Sequence, residues 1–321
     1  MTPLSDWVPP IIKDAFIGRD SDRRYEKNIT IIGTRGASKT TMLGLLGLTC
    51  EIESVANEDF TYDIIEHTVG MRQIISDLCA GKFPPATPPG RIYEADIVMT
   101  WKSGWKGNKT VHLPLLETSG EDMENVIGPY RKDMYQQVSN YQQAENLNKV
   151  IIQSNAFIVV VPVSRSTMPL PQVVDQEPES LLRNPDVNVV RMLDSIYKFR
   201  EQARAKPPEA LGICLTKYDM VNAWFQQLGM DLNDPTGQYR FLHTYFRQTM
   251  AKLKNYGLDK VRFFPMFVQV AKETTSDGKV QFVQRLDGEG FQILLDRKHN
   301  IPIYSKESCH ALINWVKDIG D

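Results

Sequence analysis

The chain has 321 residues, 42% hydrophobic and 24% charged, with 20 Gly and 19 Pro, which excludes a largely disordered or collagen-like polypeptide. Its 37 Lys and Arg against 39 Asp and Glu leave a net charge of −2, so no global field draws it to nucleic acid or an anionic membrane. Cys50, Cys79, Cys214 and Cys309 form no CxxC pair and no zinc-ligand spacing, and read as buried thiols of a reducing compartment.

In chain order, residues 1–26 read as a leader with Pro9-Pro10 and a charged cluster from Arg19 to Arg24. It has neither a basic start nor a long apolar run, and no later stretch is apolar enough to span a bilayer, so a soluble, cytoplasmic protein is expected. Residues 28–32 form a buried β-branched strand, a loop from Gly33 to Thr41 follows, and Met42 onward reads as a buried helix. Residues 63–80 carry Ile64, Ile65, Val69, Met71, Ile74, Ile75 and Leu78 near helical spacing, and the Phe83-Pro84-Pro85-Ala86-Thr87-Pro88-Pro89 segment ends that helix in a loop. Residues 92–101 and 110–118 read as strands of an antiparallel hairpin turned at Ser103-Gly104 and Gly107-Asn108. The continuous apolar runs 156–163 and 211–215 predict central parallel strands, with a helix over 187–204 between them. A helix over 239–255, an apolar run over 261–270, an inserted hairpin with turns at Asp277-Gly278 and Asp287-Gly288, and a helix over 306–317 complete the α/β pattern.

Three motifs carry chemistry, each after a predicted strand. Gly33-x4-Ser38-Lys39-Thr40 is the GxxxxGK[ST] phosphate loop with Ser38 in place of the last Gly. Its backbone N–H groups at a helix N-terminus, with Lys39 and the Thr40 hydroxyl, suit a polyphosphate and its Mg²⁺. The plainer alternative is a Gly/Ser turn with Lys39 merely exposed. Leu116-Glu117-Thr118-Ser119-Gly120-Glu121 places a carboxylate suited to Mg²⁺ and a Gly120 N–H suited to a γ-phosphate, though taken alone a plain turn is the preferred reading. Leu215-Thr216-Lys217-Tyr218-Asp219 places a carboxylate that accepts from both N1–H and N2–H₂ of guanine, a donor pair adenine lacks, with the Lys217 stem over the base. A helix cap is the competing reading.

In joint order and spacing these motifs resemble those of the translation-factor-related class of P-loop GTPases, which includes the Ras-like proteins, and the size and Pro-rich loop are similar to divergent prokaryotic members. The resemblance spans about residues 27–272 plus the last helix. It implies a three-layer fold in which a mostly parallel sheet with one antiparallel strand carries helices on both faces. It also implies a GTPase-like domain over 27–321 with insertions at about 51–90, 165–186 and 273–303. GTP or GDP with Mg²⁺ is the implied ligand. Gly33, Gly36, Ala37, Ser38, Lys39, Thr40, Thr41 and Gly120 correspond to its phosphate site, and Thr216, Lys217 and Asp219 to its base site. Val270-Ala271-Lys272 is similar to the family's SAK element, whose backbone N–H, here that of Ala271, meets the guanine carbonyl. Thr40, Thr87 and Glu117 correspond to Mg²⁺ ligands, and Lys39, Arg35 and Glu121 to groups acting on the transferred phosphate.

Three departures bear on turnover. Glu117 stands for the usual Asp, Arg35 replaces a common Gly, and Glu121 stands where Ras-like proteins orient water with Gln. A carboxylate there repels the γ-phosphate, so slow GTP hydrolysis by a molecular switch is expected, with a protein partner or a homodimer through the switch regions. The alternatives are a pseudo-GTPase that keeps its nucleotide as an interaction module, and a P-loop ATPase for which Asp219 is incidental. His67, His112, His243, His299 and His310 are scattered, and Ser119 lacks the GxSxG context. Trp101, Lys102, Trp105 and Lys106 form a basic-aromatic hairpin end, and a Tyr/Gln-rich helix over 130–143 suits partner contact or plain exposure.

Overall fold

Nearly continuous apolar, β-branched runs survive only in strands covered on both faces, and here they make the middle of the sheet. The computed structural model describes residues 27–33, 36–66, 70–85, 92–102, 107–118, 151–164, 184–232, 234–258, 260–276, 278, 280–287 and 290–320. Strands β1 (Lys27–Gly33), β5 (Ala156–Pro162), β6 (Ala210–Thr216) and β7 (Val261–Pro265) run parallel. The expected hairpin is present as β3 (Ile92–Lys102) and β4 (Asn108–Thr118), with β4 parallel to β1. Among the described residues the main sheet has the order β2-β3-β4-β1-β5-β6-β7, with β2 (Phe60–Glu66) antiparallel to β3 at the edge. β3 therefore runs against the other strands.

Alternation across each strand sends side chains to two cores. Ala156, Ile158 and Val160 join the apolar cluster that includes helices α1 (Lys39–Ala56), α2 (Met71–Cys79) and α7 (Lys306–Gly320). Phe157, Val159 and Val161 join the cluster of the other face, with α3 (Pro185–Gln202), α4 (Asn222–Gln227), α5 (Pro235–Tyr245) and α6 (Arg247–Asn255). Helices on both faces of a mostly parallel sheet make a three-layer α/β arrangement consistent with a P-loop GTPase-like fold. α2 lies against α1 because Gly44 leaves room: a Cβ there would stand 2.5 Å from Leu78 Cδ1 and 2.7 Å from Ile74 Cγ2.

Two expectations are corrected. Residues 63–80 are not one helix, because Phe60–Glu66 is a strand whose Phe60 and Ile64 are buried with period two, and only Met71–Cys79 is helical. Residues 239–255 are two helices parted at Phe246, which has φ −124° and ψ 36° and is fully buried. Trp101 is buried in β3 instead of lying on a surface patch, and Lys102 pairs with Asp59 at 2.7 Å. Trp105, Lys106, the leader and the 130–143 helix lie outside the described residues.

Past β7 the chain makes a second, small sheet. The inserted hairpin appears as β8 (Lys272–Thr274) and β9 (Val280–Phe282), paired antiparallel. Bridges Val270↔Ile293 and Val268↔Tyr304 fasten the returning chain to the segment that leaves β7, and Gln284↔Phe291 and Leu295↔Pro302 lie within the insertion. No helix among the described residues is long and apolar enough to cross a membrane.

Candidate functional site: a phosphate loop and a base corner on one sheet edge

β1 delivers Gly33 to the C-terminal edge of the sheet. A Cβ at Gly33 would stand 2.5 Å from the Val160 carbonyl oxygen and 3.3 Å from Lys39 Cδ, so only glycine lets the loop leave the strand here. Gly36 follows at φ +67°, Ala37 is buried, and Ser38 takes the left-handed conformation, φ 61° and ψ 34°. Glycine adopts that conformation freely and serine does not, so the glycine geometry of the motif survives its substitution. The plainer reading, in which Lys39 is exposed, fails: Lys39 is buried and its Nζ donates to the Gly33 carbonyl at 2.9 Å. Thr40 and Thr41 are buried beside it in the first turn of α1.

That first turn has the chemistry to hold an anion. A helix start leaves N–H groups without partners in the helix and carries the positive end of the dipole. The Ser38 side chain makes no capping bond, and the first turn of α1 holds no acidic residue. The described residues thus bring together backbone donors, a buried ammonium and a hydroxyl, in a first turn that holds no acidic residue.

The base corner is tied directly to this loop. Thr216, buried at the end of β6, donates from Oγ1 to the Ala37 carbonyl at 2.8 Å, with the Val161 carbonyl farther away at 3.3 Å. One hydroxyl proton therefore joins two motifs 179 residues apart in sequence. The chain then turns through Lys217, also left-handed at φ 60°, into a short 3-10 turn, Tyr218–Met220. The Tyr218 N–H donates to the Met266 carbonyl at 3.2 Å, and the Met266 N–H to that of Leu215 at 2.8 Å, which brings the exit of β7 alongside. Burial pushes the Asp219 carboxyl above its ordinary value, and the Lys272 ammonium and the N–H groups of Asp219 and Met220 partly pull it back. Lys272 is the last residue of the SAK-like element.

Ala271 departs from its expected role. Its N–H donates to the Gln292 carbonyl at 2.9 Å and its own carbonyl accepts from Val283 at 2.9 Å, so the insertion has already taken the amide expected to meet a base. No local pattern announces this, because Gln292 lies beyond the predicted hairpin turns.

The third motif ends β4. Tyr93 is paired with Glu117, and β4 runs parallel to β1 through the pairs Lys27↔Val111 and Asn28↔His112. Thr34, Arg35, Thr87, Ser119, Gly120 and Glu121 lie outside the described residues. Among the described residues no three His, Cys, Asp or Glu side chains cluster to hold a metal. Among the described side chains at this loop, the donor that fits Mg²⁺ by chemistry is the Thr40 hydroxyl, a hard oxygen ligand buried in the first turn of α1. Of the cysteines, Cys50, Cys214 and Cys309 are buried, Cys79 partly so, and all four are free. Burial pushes the Cys50 and Cys309 thiols up to about 12.

No protein-family model matches the chain, and no curated protein sequence matches it. Among solved structures, it is similar to the GTPase-like domain of S. cerevisiae Ski7 bound to GDP and inorganic phosphate, with a TM-score of 0.32 and 12% identity over 75% of this chain and 43% of that one. The same domain bound to GTP matches with a TM-score of 0.33 and 11% identity, over 75% of this chain and 42% of that one. The chain therefore covers less than half the length of these structures, and a likeness this weak adds nothing to the strand order and loop geometry.

Proposed function

We propose that this chain binds guanine nucleotide at the C-terminal edge of its sheet and acts as a switch that hydrolyses GTP slowly. The observation that carries the reading is the Thr216 to Ala37 hydrogen bond, which joins the Gly33 loop to the strand that leads into the Asp219 turn and so supports reading the two as ends of one site. Lys39 and the amides that open α1 hold the phosphates, Gly33 lets the backbone pass close, and Asp219 accepts from N1–H and N2–H₂ of the base. Thr40, Glu117 and, by its sequence position, Thr87 would hold Mg²⁺, which would supply charge neutralisation at the phosphates. Hydrolysis is in-line attack of water with little covalent chemistry from the protein, and Gly120, Glu121, Arg35 and Thr87 are proposed to act around the γ-phosphate by their sequence positions. Turnover slower than about 10⁻³ s⁻¹ is expected, the range of an unassisted switch GTPase.

A second reading, a pseudo-GTPase that keeps its nucleotide intact, is favoured by Ser38, which holds a glycine conformation at the cost of strain, and by Glu117 in place of Asp. Binding of a fluorescent GTP analogue with Mg²⁺, competed separately by GTP and ATP, tests the site. Competition by GTP alone supports the guanine reading, and equal competition by ATP overturns it. A single-turnover assay then separates the two readings, since the pseudo-GTPase returns GTP unhydrolysed.

A further inference from the structure

The α5–α6 segment carries a charge balance unlike that of the whole chain. Residues 235–258 hold Arg240, Arg247, Lys252 and Lys254 and no Asp or Glu, although acids slightly outnumber bases over the full sequence. The carboxylates that reach this segment from α3 are already committed. Asp186 is buried under the start of α6, and Asp194 pairs with Lys252 at 2.8 Å. Among the described residues Arg240, Arg247 and Lys254 have no ion-pair partner.

This cationic face also has a shape. Thr249 and Leu253 are the buried side of α6, so Arg247, Met250, Ala251 and Lys254, at i, i+3, i+4 and i+7, line the opposite side. Ala251 is small between two long stems, and with His243 from the last turn of α5 these residues surround a surface hollow of about 570 Å³. Met250, Ala251 and the methylene stems of Arg247 and Lys254 make its walls largely carbon. The Arg247 Nε–H donates to the His243 carbonyl at 2.7 Å, which ties the guanidinium across the break between the helices and leaves its Nη groups for a carboxylate. Tyr239, 63% exposed, packs on the His243 ring beside the hollow, with centroids 4.1 Å apart.

We infer that this hollow is a docking site for an acidic protein segment, which seats one large apolar side chain between Arg247 and Lys254 and sets flanking carboxylates on their charges. The carbon walls take that side chain out of water, and the cationic rim selects segments that carry acids. A bilayer calls for apolar side chains that protrude, whereas the apolar atoms here line a concavity. A nucleic-acid strand calls for successive stacking rings, and the exposed large aromatic of this face is Tyr239, already packed on His243. The nucleotide site plays no part in this docking.

The test uses fluorescence anisotropy of two labelled peptides on the full chain, one of alternating glutamate and leucine and one with serine for each leucine. Wild type is expected to favour the leucine peptide by about tenfold, the effect of burying one such side chain. Ala251→Leu, which fills the hollow and keeps every charge, should erase that preference. Arg247→Ala with Lys254→Ala should weaken the leucine peptide by about tenfold, the sum of two exposed ion pairs, with an unchanged melting curve because both residues are exposed. Equal binding of the two peptides by wild type, or wild-type affinity and preference in both variants, would overturn the assignment. So would binding of phosphatidylserine vesicles or of a uridine oligonucleotide through Arg247 and Lys254 when neither peptide binds.

Discussion

The start of α1 and the starts of α3, α5 and α6 solve the same problem in opposite ways. Each helix leaves amides to be satisfied. Asn184 accepts from the Asp186 N–H at the start of α3, Asp234 accepts from the Gly237 N–H at the start of α5, and Asp186 reaches across to accept from Gln248 and Thr249 at 3.0 and 2.8 Å, closing the start of α6. The start of α1 has a left-handed Ser38 that caps nothing, no acid in its first turn, and a buried Lys39. Three helix starts are closed by side-chain carboxylates or amides, and the fourth has no side-chain cap and no acid in its first turn. The difference teaches that the first turn of α1 carries no acidic residue and no side-chain cap of its own, the arrangement that suits an anion.

Four substitutions break or sharpen that contrast. The largest effect is expected from Lys39→Met, which keeps the buried stem but removes the ammonium: nucleotide affinity should fall about 100-fold by calorimetry, the upper range for a charged hydrogen bond. Next is Asp219→Asn, expected to cost about 10- to 100-fold in GTP affinity while leaving inorganic triphosphate binding unchanged. It should also stabilise the empty protein at pH 7. Folding raises the Asp219 pKa, so its contribution is full below the unfolded value of 3.8 and is lost as pH rises through the raised value. Asparagine has no such loss, so the Tm gain seen at pH 7 should shrink to nothing as pH falls to 3.8.

Asp186→Ala strips the buried cap from α6 and should lower stability by about 2 kcal/mol in a denaturant melt, with nucleotide affinity unchanged. The smallest effect belongs to Ser38→Gly, which relieves the left-handed serine and should add about 1 kcal/mol of stability without weakening nucleotide binding. A loss of affinity on that change would mean that the Ser38 side chain itself contacts the ligand.

The contiguous features were legible in the sequence. β1, the loop and α1 follow one another within residues 27–56, so strand, glycine, lysine and buried helix could be read from local pattern alone. The β3–β4 hairpin, the apolar strands β5 and β6, and the insertion's first turn were legible for the same reason. Long-range bonds were not. The break between α5 and α6 has no Gly or Pro at Phe246, and the carboxylate that starts the second helix comes from Asp186, in the first turn of α3. β2 merged with α2 because the adjacent Ile64 and Ile65 satisfy a helical period, and Gly70, which stands before α2, was too weak a punctuation. At the site, Asp219 was legible as a motif residue, whereas the bond from Thr216 to Ala37 and the capture of the Ala271 amide by Gln292 depend on how distant segments dock.

The central claim is that the loop at Gly33 and the turn at Asp219 are two ends of one nucleotide site. Amide hydrogen exchange of the full chain, free and with saturating GTP or inorganic triphosphate in Mg²⁺, tests it most directly. The account predicts that GTP protects the amides of 36–41 and 217–220 together, and that triphosphate protects the first segment alone. Protection by GTP at neither segment, or at 36–41 with no change at 217–220, would contradict it.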